Sequence, residues 1–249
     1  MIVKSILSQC VSALAMKREK MKIGGLQKVS LIDYPGLICA TIFLQGCNFK
    51  CSYCHNPELV DPGLFQPCIK EKDILDFLNT RKGKLDAVTI TGGEPTIQDD
   101  LAPLIKQIKK MGFAVKLDTN GSQPQLIKAL LAEKLLDFIA MDIKAPLEKY
   151  KSVVRVPVNA NSIKESIKLI LKAKIPYEFR TTIVESQFGE NDILQIAKLI
   201  SGGNRYVLQK FVSAKTLDKK FLKEKSYPEE KLQKIKSHLE HQIPSVTIR

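Results

Sequence analysis

Three cysteines fall within eight positions of "QGCNFKCSYCHNP", residues 45–57: Cys47, Cys51 and Cys54. Thiols crowded into one loop point to a metal site in a reducing compartment rather than to a disulfide framework. A structural zinc needs four closed ligands. His55 is adjacent to Cys54 and badly placed to complete that tetrahedron, whereas Cys68 is within reach, so zinc stays open. A 4Fe–4S cluster also takes thiolates, and it tolerates one iron without a protein ligand when something else binds there. Cys39 lies in an apolar run and reads as a small buried hydrophobe. Cys10 and Cys68 have no partner spacing of their own.

Three other short polar stretches stand out: "GGEP" at 92–95, "DTNG" at 118–121 and "DIK" at 142–144. "GGEP" alone reads equally well as a plain turn. What raises it above a turn is its place in the chain. Apolar, β-branched runs at 37–45, 86–91, 113–118, 138–143, 177–184 and 205–212 predict six strands. Helical spacing over 69–83, 98–112, 124–134, 162–174 and 191–200 predicts five helices between them. Strand–helix alternation implies a parallel sheet with right-handed crossovers, either an open doubly wound sheet or a curved partial barrel. Both place their chemistry at the carboxyl ends of the strands. The cysteine loop follows the first strand, "GGEP" the second and "DTNG" the third, and the fourth carries "DIK". One rim therefore gathers the unusual residues.

A chain of 249 residues suits one domain. The first 22 residues read as an N-terminal extension that contributes nothing to chemistry, with Met21 as a plausible start. Residues 1–20 only faintly imitate a secretory signal, because Ser5, Ser8, Gln9 and Ser12 interrupt the apolar stretch. Residues 23–249 read as the core domain with a helical tail. No run approaches the roughly 18 apolar residues of a membrane span, and the expected location is the cytoplasm. The net charge of +13 reflects 39 basic against 26 acidic residues, with a thicker lysine patch from Lys210 to Lys236. Without an aromatic-interleaved basic stripe, nucleic acid is the weaker reading. An acidic protein partner fits the charge equally well.

The pattern C-x3-C-x2-C with an aromatic before the last cysteine resembles the signature of the radical S-adenosylmethionine superfamily; Cys47, Cys51, Tyr53 and Cys54 match its positions. The resemblance implies a partial (β/α)6 barrel with a parallel sheet. It also implies one 4Fe–4S cluster on three thiolates, whose fourth iron is chelated by the amino and carboxylate groups of S-adenosylmethionine. Gly92, Gly93 and Glu94 reproduce the family's "GGE" turn, which meets the methionyl amino group. Within the superfamily, "YCHNP", "DTNG" and "MDIK" are similar to segments of the glycyl-radical-enzyme activases. "GLQKVSLIDYPG" followed by "FLQGCNFKCSYCHNPELV" is most similar to activating proteins of anaerobic ribonucleoside-triphosphate reductase. The likeness covers roughly residues 23–212. It departs at Asp33-Tyr34-Pro35-Gly36, which leads into Leu37-Ile38 where several activases have D-G-P-G, a hydrophobic residue and arginine.

Carried over residue by residue, the resemblance implies these roles. Tyr53 and His55 help seat adenine and methionine. Lys144 suits the methionyl carboxylate, and Asp118 and Asp142 suit ribose hydroxyls or a monovalent cation; an ordinary rim ion pair is the rival for all three. Arg180, inside an otherwise apolar strand, must face a polar interior and meets the carboxylate or the partner. Gln209 and Phe211 are weaker candidates for the adenosine. Asp33 is the candidate contact for the partner's glycine loop at the barrel mouth. The implied reaction is reductive cleavage of S-adenosylmethionine to a 5′-deoxyadenosyl radical, which abstracts hydrogen from a glycine Cα of the partner. The implied reductant is a flavodoxin or ferredoxin. Two rivals remain: a radical enzyme acting on a small molecule or RNA, and, more distantly, a non-catalytic iron–sulfur or zinc protein.

Overall fold

The computed structural model describes residues 21–249; the expectations for residues 1–20 and for Cys10 lie outside them. Strand β1 (Ile23–Ser30) runs antiparallel to β2 (Cys39–Leu44). After the cysteine loop come a single turn, α1 (Pro57–Val60), and α2 (Glu71–Asn79). The chain then alternates through β3 (Ala87–Gly92), α3 (Leu101–Lys110), β4 (Ala114–Thr119), α4 (Pro124–Ala132) and β5 (Phe138–Asp142). A short α5 (Tyr150–Val154) precedes α6 (Ala160–Leu171), β6 (Tyr177–Ile183), α7 (Glu190–Leu199) and β7 (Arg205–Lys210). Helix α8 (Glu229–Leu239) and strand β8 (Ser245–Ile248) complete the chain.

The six expected strands are β2 to β7, and the five expected helices are α2, α3, α4, α6 and α7. Two edge strands are added to them. Pairing runs in chain order from β1 to β8, and every ladder from β2 onward is parallel. The tail is thus helix and strand: β8 pairs with β7, Tyr206 opposite Val246.

The central strands are buried on both faces, which explains their continuous apolar runs. Outward residues such as Ile42, Ile90, Leu117 and Ile139 pack under the helices. Inward residues follow period 2. Cys39, Ala87, Phe138 and Ala140 form a second small apolar cluster with Tyr34. The Tyr34 ring lies 5.8 Å from that of Phe138, so the 31–38 loop plugs the barrel at the amino ends of the strands. Cys39 is fully buried, as a small hydrophobe should be. Above this plug the interior turns polar, and side chains of β2 through β7 surround one cavity. Six adjacent strands can share a cavity only if the sheet curls, which makes the architecture a partial barrel.

Candidate active site

The cavity measures about 320 Å³, within the range of small-ligand pockets. Cys47, Cys51 and Cys54 line it, together with Tyr53 and His55 of the same loop. The loop is tied down along its length. Gly46 N–H donates to Leu59 O (2.8 Å), Lys50 N–H to Val154 O (2.9 Å), and Cys54 N–H to Cys51 O (3.0 Å). From outside, Leu217 N–H reaches Cys54 O (3.1 Å) and Asp218 N–H reaches Ser52 O (3.0 Å). These bonds fix the backbone that carries the thiols.

Burial pushes the Cys47 thiol up to about 12, with the Glu94 carboxylate adding to the effect, and the Cys51 thiol up to about 11. Burial raises Cys54 as well. Without iron all three are therefore protonated at neutral pH, and metal must displace protons to bind. Among the described residues no three His, Cys, Asp or Glu side chains converge as ligands of one metal ion do. A cubane is larger than an ion and presents a different iron to each thiolate, so thiols spread around a cavity suit it better than zinc. Cys68, the possible fourth zinc ligand, is exposed and donates to Gln45 Oε1 (3.3 Å) instead.

The cavity shows a second sign of a ligand. Tyr53 is 4% exposed and its hydroxyl has no hydrogen-bond partner. Buried polar groups are normally satisfied, so a hydroxyl left over in a cavity wall is available to a bound molecule. Three thiols, with no fourth lining the cavity among the described residues, and this unused hydroxyl fit a cluster with a polar small molecule on it.

The "GGEP" turn packs directly on the cysteine loop. A Cβ on Gly93 would strike the carbonyl of Gly46, and one on Gly92, where φ is +126°, would strike the backbone of Leu44. The glycines thus permit contact with the cysteine loop itself, sealed by Gly93 N–H to Leu44 O and Glu94 N–H to Gly46 O, both 2.8 Å. Glu94 is 1% exposed. Its Oε1 accepts from Thr96 N–H (3.1 Å), the Thr96 hydroxyl and the Thr119 hydroxyl (2.7 Å), and its Oε2 from Asn120 N–H (2.6 Å). Burial raises its pKa while these donors oppose the rise. Glu94 thus joins the β3 and β4 turns and also lines the cavity. "DTNG" is joined to the cysteine loop too. Asn120 Nδ2 donates to Asn48 Oδ1 (2.9 Å), and Asn48 Nδ2 to Ser122 Oγ (2.8 Å).

Across the cavity runs a ladder of alternating charge. Lys116 pairs with Asp118 Oδ1, and Arg180 Nη1 donates to Asp118 Oδ2 (3.1 Å). Arg180 Nε donates to Asp142 Oδ1 (2.7 Å), and Lys144 Nζ to Asp142 Oδ2 (3.0 Å). Both oxygens of each aspartate meet a cation, so Asp118 and Asp142 sit in an ion-pair network, and both also line the cavity. The network holds three cations and two anions. Burial works against the charge of Lys144, but Asp142 more than reverses this and its pKa rises well above the ordinary value. Burial likewise opposes charge on Asp142, and the Arg180 and Lys144 cations bring it below the usual carboxylate range. Lys144 lines the cavity and gives Asp142 one of its three N–H bonds, which leaves donors that suit a ligand carboxylate.

The remaining candidates separate. Gln209 lines the cavity and Phe211 does not; Phe211 instead stacks on His55, ring centres 5.3 Å apart and planes within 13°. His55 Nε2 also lies 2.8 Å from Val212 O. Asp33 lines the cavity from the opposite end to the cysteines. It comes from the plug loop and accepts from the Thr41 hydroxyl (2.8 Å). The expectation that it sits at the mouth is therefore corrected. Lys116 was not among the sequence-derived candidates, though its spacing of two from Asp118 puts both on one strand face. Asn48, Thr182 and Phe43 carry no such signal.

Fold and site together define a curved α/β barrel with a three-thiol loop at the carboxyl end of its first parallel strand. The profile of the Radical SAM superfamily matches residues 41–200, more than half of the chain. The protein belongs to that superfamily, whose enzymes use a 4Fe–4S cluster with S-adenosylmethionine. Two proteins of Methanocaldococcus jannaschii are similar, both provisionally named glycyl-radical enzyme activating enzymes. One is 36% identical over 237 residues, spanning 92% of this chain and 96% of its own length. The other is 30% identical over 208 residues, spanning 80% and 72%. The crystal structure of Streptococcus suis SuiB bound to S-adenosylmethionine shares the fold, with a TM-score of 0.64, 15% identity, and coverage of 82% of this chain and 48% of that one.

Proposed function

We propose that the protein is an activating enzyme for a glycyl radical enzyme, and that its partner is an anaerobic ribonucleotide reductase. The observation that carries the reading is one cavity walled by three thiols, an unpartnered buried Tyr53 hydroxyl and a lysine, Lys144, with N–H bonds to spare beyond Asp142. The names of the two M. jannaschii relatives support the class of partner. In this reading Cys47, Cys51 and Cys54 hold three irons and leave the fourth to S-adenosylmethionine. A cluster held there would supply the one-electron chemistry for reductive cleavage of S-adenosylmethionine, and through it removal of a hydrogen atom from a glycine Cα of the partner. Lys144 directs its free N–H bonds to the methionyl carboxylate, and the Tyr53 hydroxyl takes a polar atom of the same ligand. His55, held by Phe211, and Gln209 border the adenosine, while Glu94, Gly92 and Gly93 keep the wall in register. The partner's glycine loop meets Asp33 inside the cavity, and the exposed Leu31 (72%) and Ile32 (84%) of the plug loop give the partner an apolar contact outside.

The test is to mix reduced protein, S-adenosylmethionine and the reductase without oxygen. A glycyl doublet in electron paramagnetic resonance is expected. If 5′-deoxyadenosine forms while no glycyl enzyme of the same cell gains that signal, the activase reading fails and a small-molecule or RNA substrate replaces it.

A reducing compartment, the cytoplasm, suits the three thiols; among the described residues no helix is long and apolar enough to cross a membrane. The reductant in this reading is an acidic flavodoxin or ferredoxin. Lys50 and Lys219 share a recess with Ser52, Asp61 and the ion pair of Arg155 with Asp218 (2.9 Å), separated from the thiol cavity by one thickness of the cysteine loop. Exposed Lys220 and Lys223 extend the same face. Stopped-flow reduction by such a carrier should slow several-fold between low and physiological salt. A salt-independent rate would count against this surface.

A further inference from the structure

The interior charge continues below the ladder. Glu178 stands two residues before Arg180 on β6, on the same inward face, and is fully buried. A carboxylate in such a place is costly unless it is paired. The Arg249 guanidinium supplies that pairing, one N–H to each oxygen, at 3.2 and 3.0 Å. Arg205 Nε adds a longer contact at 3.4 Å. The backbone of Arg249 is itself fixed beside β7: its N–H donates to Leu208 O (3.0 Å) and its carbonyl accepts from Lys210 N–H (2.7 Å). No residue of this clamp lines the cavity.

We infer that Arg249 is a positioning residue for Arg180, acting through Glu178. The inference rests on the reading of the cavity as the S-adenosylmethionine site. Arg180 is divided between Asp118 and Asp142, through Nη1 and Nε respectively. Glu178 and Arg180 project from the same face of β6 two positions apart, about 7 Å along the strand, near enough for one charge to act on the other. While Arg249 holds Glu178 in a fork-to-fork pair, Arg180 stays with the two aspartates. Without Arg249, Glu178 keeps only the longer Arg205 contact, and Arg180 is drawn down toward it. Asp142 then depends on Lys144 alone, and Lys144 is pulled more firmly from any incoming carboxylate. A residue that touches neither cavity nor ligand thus sets the cation available to the ligand.

The test uses the full chain with reconstituted cluster and three variants: R249M, R249K and the double variant E178Q/R249M. Two quantities are read: the 15N signal of the Arg180 Nε–H in arginine-labelled protein, assigned with R180K, and S-adenosylmethionine affinity by calorimetry. In R249M the Arg180 signal should shift and affinity should fall about tenfold, with iron content unchanged. R249K should retain most of the affinity. E178Q/R249M should restore both signal and affinity, because it removes the carboxylate that competes for Arg180. The double variant leaves no buried carboxylate without Arg249, and Arg205, which loses its ion pair, is one-third exposed, so the variant remains informative if R249M folds poorly. An unmoved Arg180 signal in R249M, or failure of the double variant to restore it, overturns the inference. A shifted and restored signal with unchanged affinity upholds the positioning role and counts instead against the ligand assigned to the cavity.

Discussion

Alanine at Cys47, Cys51 or Cys54 should each abolish the 4Fe–4S cluster, while Cys39→Ala keeps iron and sulfide at the level of the unsubstituted protein. The contrast is set by where each sulfur points. The first three line the cavity. Cys39 is sealed in the plug, its sulfur 3.6 Å from the Thr89 hydroxyl. Losing one of three ligands leaves two thiolates, too few to hold a cubane against chelators and oxygen. Losing Cys39 costs only packing: a cavity the size of one sulfur, on the order of 1 kcal/mol. Chemical reconstitution should also load more completely as pH rises, since the cavity thiols start protonated and iron must displace their protons. Iron and sulfide analysis of the four variants decides the assignment. Equal loss from Cys39→Ala, or retention in any of the other three, would sink it.

The sequence made the middle of this fold easy to read and its edges hard. Strands β2 to β7 are covered on both faces, so their residues are apolar at nearly every position and stand out against any background. Strand β1, "IGGLQKVS", is an edge strand with two glycines and an exposed Gln27-Lys28-Val29, and it shows neither a buried run nor a clean alternation. Strand β8 has four residues and follows a helix, too little for a pattern. The site divides in the same way. The thiols are legible because their chemistry depends on spacing along the chain. The structural bonds of Glu94 are not legible, because its four donors come from Thr96, Thr119 and Asn120, and two of these residues belong to another turn. The pairing of Asp118 and Asp142 depends on Arg180, which lies 38 residues or more along the chain from either. Only the fold brings those charges together.

Gly93→Ala should lose most of its iron although it removes no ligand. The Cβ would land on the carbonyl of Gly46 and come within 3.0 Å of Leu59 O. Both are backbone atoms, which cannot swing aside as a flexible side chain would. Relief requires the start of the cysteine loop to move away from the β3 turn, and that breaks the Gly93-to-Leu44 and Glu94-to-Gly46 hydrogen bonds. Overpacking of this kind costs about 1–3 kcal/mol, and here it falls on the residue next to Cys47. The cluster requires three sulfurs in fixed relation, so a loop displaced by a fraction of an ångström releases metal before the domain unfolds. Gly189→Ala supplies the control. Its Cβ meets only the Asp192 carboxylate at 3.7 Å, at the start of α7, and iron should be retained. Circular dichroism melts with iron analysis separate the two effects: Gly93→Ala should keep a cooperative transition while its iron-to-protein ratio collapses. Full iron occupancy in Gly93→Ala would mean that the loop tolerates displacement, and that the glycine pair serves some purpose other than holding the thiols in place.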